Sequence, residues 1–307
     1  MSLSKIKIAV EPAAPTKPQL ERAVVEGGGT LASIEDAEAL VWTSYYEPDL
    51  LPDFLQRGSK IRWVALPFTG IDLYRTHLDD VREWTCARGV YARPVAEHAI
   101  AMGLAGHRGL IGYAQQDTWS GHVGSNLVDG NVVIFGGGGI AEELLTQLSG
   151  FGCHTTVVRR ASTPMAGADV TVTTEHRLDV LPTADLVILA LSLTPETEHI
   201  IGSRELEAMA SHAWLVNVAR GKHVDIDALL VALKEDQIGG ACLDVTEPEP
   251  LPDGHELWDF PNVLITPHVA NTAEMGEPLL AAHIAENVRR FGAGLPLIGT
   301  VDRSVGY

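Results

Sequence analysis

The stretch Asn131-Val-Val-Ile-Phe-Gly-Gly-Gly-Gly-Ile-Ala-Glu-Glu-Leu-Leu145 decides the fold of the chain around it. A β-branched run leads into four glycines, and apolar residues at helical spacing follow at once, which predicts a strand, a tight turn and a helix. The pattern Gly136-x-Gly138-x-x-Ala141 matches the dinucleotide-binding fingerprint. Gly136 permits the turn, Gly138 lets a pyrophosphate approach the backbone, and Ala141 lets the helix pack close to the strand. Because the helix N-terminus favours negative charge, the stretch predicts a nucleotide site, with a bare structural turn as the less favoured alternative.

The next strand indicates which dinucleotide binds. His154–Val158 is predicted as the second strand of this unit, and an acidic residue usually stands at its end to bind the adenine ribose hydroxyls. Here that position holds Arg159, followed by Arg160. Two guanidinium groups pair with a 2′-phosphate, whereas a carboxylate repels it, so the sequence favours NADP over NAD. The alternative is a pair of solvated surface arginines.

The composition places the chain among ordinary globular proteins. Its 307 residues allow two domains, 46% of them are hydrophobic, and the formal net charge is −18. That charge argues against a nucleic-acid partner, because phosphate contacts need clustered Lys and Arg. An acidic surface is the preferred interpretation, and composition does not decide whether it reflects adaptation to salt. No metal site is predicted.

The cysteine pattern and the apolar stretches indicate the compartment. Cys86, Cys153 and Cys242 are odd in number and scattered, which is typical of a reducing cytoplasm. The N-terminal residues carry no signal-peptide pattern. The longest apolar stretch, Leu186 to Leu193, is too short to span a bilayer, so we expect neither export nor membrane association.

The N-terminal part is predicted as a smaller α/β unit. Strands are expected at Ile6–Val10, Ala39–Trp42 and Ile61–Leu66, with a helix at Pro18–Val25. Strands that alternate with helices predict a parallel sheet. A longer Ala- and Leu-rich helix from Val95 to about residue 110 is expected to cross between the two domains.

The turn after the third predicted strand is a candidate anion site. Thr69, Gly70 and Ile71 follow the carboxyl end of that strand, where open α/β sheets bind their ligands. The backbone N–H groups of such a turn can receive a carboxylate. On spacing alone an ordinary glycine turn is the favoured interpretation.

Three strands of the second unit end in chemically active side chains. Arg220 follows the strand from Trp214, Glu249 follows the strand from Gly240, and His268 follows the strand from Asn262. A guanidinium binds a planar carboxylate in bidentate fashion, and an imidazolium supplies a proton to a keto oxygen as hydride arrives. A carboxylate paired with the imidazole raises its pKa and fixes its tautomer. The set therefore predicts reduction of a 2-keto acid.

Each of these side chains has a structural alternative. His268 follows Pro267 and is compatible with an ordinary turn, Arg220 with a structural ion pair, and Glu249 with a solvated Pro-rich loop. Singly, each alternative is about even with the functional interpretation. All three together behind a nucleotide motif favour catalysis.

The sequence resembles the D-isomer-specific 2-hydroxyacid dehydrogenases along essentially its whole length. Five stretches in the right order carry the resemblance: Gly136–Ile140, Leu191–Thr197, Val216–Gly221, Gly240–Pro250 and Asn262–Ala270. The resemblance implies two doubly wound parallel-sheet domains of the Rossmann or flavodoxin-like type with a cleft between them. Residues 1–97 and 284–307 would form the substrate domain, residues 98–283 would bind NAD(P), and a homodimer would be usual.

The resemblance also implies roles for individual residues. Arg220 would bind the substrate carboxylate, Glu249 would pair with the histidine, His268 would be the general acid/base, and Thr69, Gly70 and Ile71 would cradle the carboxylate. Asp244 would meet the nicotinamide carboxamide. The remaining cofactor contacts would come from Gly136, Gly138, Gly139, Ile140, Arg159, Arg160, Ser192, Thr197, Val218, Ala219, Ala270 and His268 itself.

The sequence departs from the family pattern at three positions, one of which bears on the choice of cofactor. Ala141 replaces the third glycine, Ser192 stands where proline is usual, and Arg159 replaces the usual acid. With arginine at position 159, the sequence resembles the NADPH-preferring glyoxylate and hydroxypyruvate reductases. NADP(H) is therefore the expected cofactor, with NAD(H) as the second choice. The product would be a D-2-hydroxy acid. The alternatives are a cofactor-sensing scaffold like the C-terminal binding proteins, and an NAD-dependent formate or phosphite dehydrogenase.

Overall fold

The computed structural model describes residues 6–302 of the chain. Its strands are β1 (Lys7–Glu11), β2 (Thr30–Leu31), β3 (Ala39–Trp42), β4 (Trp63–Ala65), β5 (Glu83–Thr85), β6 (Asn131–Phe135), β7 (His154–Arg159), β8 (Val170–Thr173), β9 (Leu186–Leu189), β10 (Trp214–Asn217), β11 (Gly240–Leu243) and β12 (Val263–Ile265). Its helices are α1 (Lys17–Glu26), α2 (Leu51–Arg57), α3 (Ala92–His107), α4 (Leu110–Ala114), α5 (Gly139–Leu148), α6 (Arg177–Val180), α7 (Ser203–Ala208), α8 (Ile226–Lys234) and α9 (Ala273–Ala293). No helix among these residues is long and apolar enough to cross a membrane.

The chain divides into two compact units. The first unit combines the residues up to Tyr91 with those from Thr272 onward, and the second unit is Ala92–Asn271. The boundaries of these compact units fall where α3 and α9 begin, and the predicted domain limits at 97/98 and 283/284 stay a prediction. Each long helix packs as one piece within a single unit, so the chain changes units just before the helix. The functions expected of the two units stay predictions.

The first unit is built on a five-stranded sheet in the order β2-β1-β3-β4-β5, with every pair of neighbours parallel. This is the flavodoxin-like order. On one face α1 and α9 pack through residues such as Val24, Ile284 and Val288. On the other face Trp42, Phe68 and Tyr74 form an aromatic core, in which the Trp42 indole N–H donates to the Tyr74 hydroxyl at 2.9 Å.

The second unit is built on a seven-stranded sheet in the order β12-β11-β10-β9-β6-β7-β8, again with every pair parallel. The order reverses at β6, whose two neighbours are β7 and β9. In open α/β sheets ligands bind outside the carboxyl ends of the strands at this switch point. The glycine turn of the sequence motif follows β6 and therefore lies at that point.

The predicted fold class of two parallel-sheet α/β domains is confirmed. Several predicted elements are shifted by a few residues: the long helix runs Ala92–His107, because Gly109 adopts a left-handed conformation (φ 65°) and ends it. The sequence does not predict the short edge strands β2, β5 and β8, because runs of two to four residues carry no clear period. It does not predict helix α9 either, because Gly276 and Pro278 interrupt the helical pattern.

Candidate active site

The glycine turn after β6 is fixed by a close approach of two backbones. Gly136 has φ 119°, and a Cβ at this position would lie 2.1 Å from the carbonyl oxygen of Ala190, at the end of β9. Its N–H donates to the carbonyl of Val158 in β7 at 2.8 Å. Only glycine satisfies both the positive φ and the contact. The turn is thereby joined to both neighbouring strands.

The start of α5 is open to a phosphate group. Gly138 is the N-cap of α5 and is exposed, and a Cβ added to it would meet no atom within 4 Å. Gly139 and Ile140 form the half-buried first turn, and Ala141 is fully buried against the strand. The first N–H groups of this ten-residue helix have no partner within the helix, and no side chain lies in front of them. They therefore fit the pyrophosphate of a dinucleotide.

Positive charge lies beside this turn. Arg159 is the last residue of β7, and a Cβ on Gly137 would be 2.9 Å from the Arg159 Cδ, so the arginine side chain crosses the turn. Arg160 is exposed. Within residues 6–302 the structure gives neither arginine an ion pair. In a chain with a net charge of −18, two guanidinium groups make the surroundings of this turn locally positive, and their contact with a cofactor stays a prediction.

The loop after β9 is closed by one of the residues predicted to contact the cofactor. The Thr197 hydroxyl donates to the carbonyl of Ser192 at 2.8 Å and accepts from the Thr194 N–H at 2.8 Å. Thr197 therefore shapes the loop itself. Contacts of Ser192 and Thr197 with a cofactor stay a prediction.

The Arg220 turn after β10 is held by two buried polar side chains, Asn217 and His223. The Asn217 amide accepts from the Ala219 N–H at 3.0 Å and donates to the Arg220 carbonyl at 2.9 Å. The Arg220 N–H donates to the His223 Nδ1 at 3.1 Å. Asn217 and His223 are both fully buried, so this turn is rigid. The Arg220 Nη1 donates to the Ala219 carbonyl at 2.7 Å, while Val218 and Ala219 are buried below it.

The Arg220 turn packs directly on the segment that carries Glu249. A Cβ on Gly221 would lie 2.0 Å from the carbonyl of Thr246, which leaves room only for glycine. The Thr246 hydroxyl donates to the carbonyl of Pro248 at 2.8 Å and stabilises the loop before Glu249. The carboxyl ends of β10 and β11 are thus joined.

Asp244, just after β11, organises the neighbouring turn. Its Oδ1 accepts from the Thr266 hydroxyl at 2.5 Å and from the Val269 N–H at 2.9 Å, and its Oδ2 accepts from the Ala270 N–H at 3.0 Å. The His98 Nε2 lies 3.5 Å from Oδ1. Burial acts to raise the pKa of the Asp244 carboxyl, but the donors around it outweigh burial and hold that pKa below its ordinary value. The carboxamide contact expected of Asp244 stays a prediction.

His268 stands in this turn with its imidazole paired to Glu249. It adopts a left-handed backbone conformation (φ 53°), and its N–H donates to the Asp244 carbonyl at 2.8 Å. The Nδ1 lies 2.7 Å from the Glu249 Oε1, with the two side chains 40% and 37% exposed. A carboxylate accepts from Nδ1–H, so Nε2 is the nitrogen left to exchange a proton with a ligand.

The turn predicted to cradle a carboxylate belongs to the first unit. The Thr69 hydroxyl donates to the Ala87 carbonyl at 3.0 Å, and the Ile71 side chain is buried in the aromatic core. The N–H groups of Gly70 and Ile71 have no acceptor among residues 6–302. The donors that this turn offers to a ligand are therefore backbone N–H groups. The role of the turn in binding a substrate stays a prediction.

Sequence reasoning missed the side chains behind the predicted site. Asn217, His223 and His98 had no predicted role, although all three contact the turns of Arg220 or His268. Asn217 could have been found from the sequence, because a polar residue at the end of a buried strand is expected to be hydrogen-bonded. His98 gave a weaker signal, as a polar residue among the buried apolar residues of α3.

Comparison with known proteins identifies the family. Residues 100–270 match the family profile described as D-isomer specific 2-hydroxyacid dehydrogenase, NAD binding domain. A Corynebacterium melassecola protein described as an uncharacterized protein in the proB 3′ region is 37% identical over 93% of this chain and 95% of its own length. The glyoxylate reductase of Thermococcus gammatolerans is 31% identical over 86% of this chain and 82% of its own length.

Solved structures agree in fold. The D-isomer specific 2-hydroxyacid dehydrogenase of Xanthobacter autotrophicus, solved with NADPH and MES, superposes with a TM-score of 0.85 and 24% identity, covering 99% of this chain and 100% of that one. With a profile match over more than half of its length and full-length relatives above 30% identity, this chain belongs to the D-isomer specific 2-hydroxyacid dehydrogenases and is an oxidoreductase of that family.

Proposed function

We propose that this protein reduces a small 2-keto acid of the glyoxylate or hydroxypyruvate type to the D-2-hydroxy acid, with NADPH preferred over NADH. The observation that carries the proposal is the pairing of the His268 Nδ1 with the Glu249 Oε1 at 2.7 Å, beside the Arg220 turn and on the same sheet edge as the glycine turn. The name of the Thermococcus relative, a glyoxylate reductase, supports the substrate class.

His268 supplies the proton in this proposal. Glu249 accepts the Nδ1 proton, which fixes the orientation of the His268 ring and leaves Nε2 as the nitrogen that transfers a proton. Its Nε2–H then donates a proton to the keto oxygen, which becomes the hydroxyl of the product. When bound, the reduced nicotinamide supplies the hydride that C2 of the substrate receives. Positioned general acid–base catalysis of this kind contributes about 10² to 10⁴-fold.

Arg220 holds the substrate carboxylate. One guanidinium nitrogen donates to the Ala219 carbonyl at 2.7 Å, which orients the plane of the group. A guanidinium presents its N–H donors as a planar fork that matches a carboxylate. Because Asn217 and His223 fix the backbone beneath it, the Arg220 turn has little freedom left to lose on binding.

The cofactor side of the proposal concerns the glycine turn and Arg159. The N–H groups at the start of α5 hold the pyrophosphate, and Arg159 with Arg160 pairs with the 2′-phosphate of NADPH. The Xanthobacter structure of the same fold contains NADPH, which supports this choice. NADH lacks the 2′-phosphate and gains nothing from the two arginines.

The direct test is a turnover assay with the purified protein. NADPH or NADH is mixed with glyoxylate, hydroxypyruvate, pyruvate and larger 2-keto acids, and the absorbance of reduced nicotinamide is followed. We expect turnover with the smallest keto acids and a higher kcat/KM with NADPH. Turnover of formate or phosphite with NAD⁺ instead would favour that alternative chemistry. Tight cofactor binding with no turnover of any acid would favour the sensing scaffold.

The homodimer and the cytoplasmic location belong to the same proposal. In the second unit Leu110, Trp119 and Val123 are exposed, Trp119 to 98%, and such side chains favour contact with another subunit. Light scattering should give twice the mass of 32.9 kDa, and Trp119→Asp should shift it toward the monomer. The three cysteines are free thiols, which suits a reducing compartment.

A further inference from the structure

A side chain of helix α3 reaches the turn that carries His268. The His98 Nε2 lies 3.1 Å from the Thr266 hydroxyl oxygen and 3.5 Å from the Asp244 Oδ1. We propose that His98 is a positioning residue for the reaction: through Thr266 and Asp244 it holds the turn in the conformation that presents the His268 imidazole. This inference rests on the proposed function, and it assigns a role to a residue outside the predicted site.

The hydrogen-bond chemistry fixes the proton on His98. The Thr266 hydroxyl lies 2.5 Å from the Asp244 Oδ1, and an ionised carboxylate only accepts, so the hydroxyl proton points to Asp244. The Thr266 oxygen can then only accept from His98. The His98 Nε2 therefore carries a hydrogen and donates it to Thr266, with Asp244 as the second acceptor nearby. The hydrogen bonds therefore run in one direction: His98 donates to Thr266, and Thr266 donates to Asp244.

This chain of hydrogen bonds supports a strained turn. A left-handed conformation at a residue other than glycine is strained, and His268 adopts it with φ 53°. The Asp244 carboxylate compensates by accepting from the N–H groups of Val269 and Ala270, the two residues that follow. His98 and Thr266 keep that carboxylate oriented. If the orientation is lost, the turn relaxes and the imidazole moves away from Glu249.

Helix α3 is a rigid support for His98. The Met102 carbonyl accepts from the Cys242 thiol in β11 at 3.3 Å. At the end of the helix the His107 Nε2 lies 3.1 Å from the carbonyl of Asp185, the residue before β9. The helix is thus attached to two strands of the sheet, and these attachments set the position of His98.

The experiment compares two variants of His98 with a control variant on the neighbouring helix α5, whose side chain contacts α3. His98→Leu removes the Nε2–H donor, and His98→Gln replaces it with an amide N–H at a similar reach. Gln147→Ala is the control, because the Gln147 amide donates to the Arg93 carbonyl of α3 at 3.2 Å and has no contact with Thr266 or Asp244. For each protein kcat, KM for the keto acid, NADPH affinity by fluorescence, and amide exchange over residues 263–271 are measured.

We expect His98→Leu to lower kcat about tenfold, because the imidazole is displaced, while NADPH affinity stays within about twofold. Amide exchange at Val269 and Ala270 should become faster in the same variant. His98→Gln should restore most of kcat and the slow exchange, and Gln147→Ala should match the wild type in both. A purely structural role of His98 would instead lower thermal stability without separating kcat from KM.

Three results would overturn the inference: normal kcat in His98→Leu, equal losses in the Leu and Gln variants, or an equal loss in Gln147→Ala. Failure of the proposed function looks different, since the wild type itself would then turn over no keto acid. Amide exchange would still test the role of His98 in that case, because it does not depend on turnover. Unchanged exchange at Val269 and Ala270 in His98→Leu would show that His98 does not support the turn.

Discussion

The two halves of the carboxyl edge of the seven-stranded sheet are built by different means. On the side of β6 and β7 the turn is shaped by backbone contacts: Gly136 packs on the Ala190 carbonyl, and the start of α5 has no side chain in front of it, although the Arg159 side chain crosses the turn at Gly137. On the side of β10, β11 and β12 the turns are held by side chains, among them Asn217 and Asp244.

The difference follows from what each half must do. A phosphate group needs backbone N–H donors and open space, so no side chain lies in front of the first N–H groups of α5. A proton transfer needs an imidazole held in place, so the turns of Arg220 and His268 are surrounded by hydrogen bonds. The first half should therefore be sensitive to added atoms, and the second half to removed hydrogen bonds.

The largest effect is expected on the proton-transfer side. His268→Ala removes the proposed acid, and kcat should fall about 10² to 10⁴-fold because no other group supplies the proton. NADPH affinity should stay within about twofold, since the glycine turn is untouched. Steady-state kinetics and fluorescence titration measure the two quantities, and His122→Ala, at an exposed position, is the control. A variant with near-normal kcat would remove His268 from the mechanism.

An added methyl group should damage the backbone-built half. Gly136→Ala places a Cβ 2.1 Å from a carbonyl oxygen at φ 119°, and we expect a loss of about 3 kcal/mol or more in the free energy of unfolding. Gly138→Ala is the matched control, because its Cβ meets no atom within 4 Å. It should unfold at wild-type denaturant concentration yet bind NADPH more weakly. Equal unfolding of both variants would contradict the close-contact argument.

The side-chain half should show a pH dependence at one turn and not at the other. Asp244→Asn should cost about 2 kcal/mol at neutral pH, because hydrogen bonds to a charged acceptor are replaced. The folded state lowers the pKa of Asp244 below 3.8, so its stabilisation is complete well above that value and is lost as pH falls through the folded pKa.

The matched variant at the Arg220 turn is Asn217→Ala, which removes neutral hydrogen bonds of a fully buried residue. Its cost should be similar in size but constant with pH. Urea unfolding at a series of pH values measures both variants. The difference between wild type and Asp244→Asn should begin to shrink below about pH 5. A constant difference for Asp244→Asn, or a pH-dependent one for Asn217→Ala, would contradict the contrast between the two turns.

The smallest expected effect concerns the choice of cofactor. Arg159→Asp replaces the guanidinium that crosses the glycine turn, and the preference for NADPH over NADH should fall about tenfold as repulsion replaces attraction. The ratio of kcat/KM with the two cofactors measures it. Arg204→Asp, an exposed position in α7, makes the same charge change and should leave the ratio unchanged. An unchanged ratio in Arg159→Asp would show that this side chain does not meet the 2′-phosphate.

Features that depend on neighbouring residues were predictable from the sequence. The Gly136 turn and the strand ending in Arg159 each depend on a few adjacent residues. Features that depend on partners far along the chain were not. His98 and Thr266 are 168 positions apart, and no local pattern links them.

The sequence by itself determined the nucleotide turn, the alternation of strands and helices, and the residue types at the strand ends. These features depend on residue spacing and side-chain chemistry, which can be read directly from the sequence. The tertiary structure alone decided that Asp244 holds the His268 turn, that Asn217 and His223 hold Arg220, and that α3 delivers His98. The physical reason is that such hydrogen bonds require distances of about 3 Å between atoms on different strands and helices, and only the order of strands in the folded sheet sets those distances.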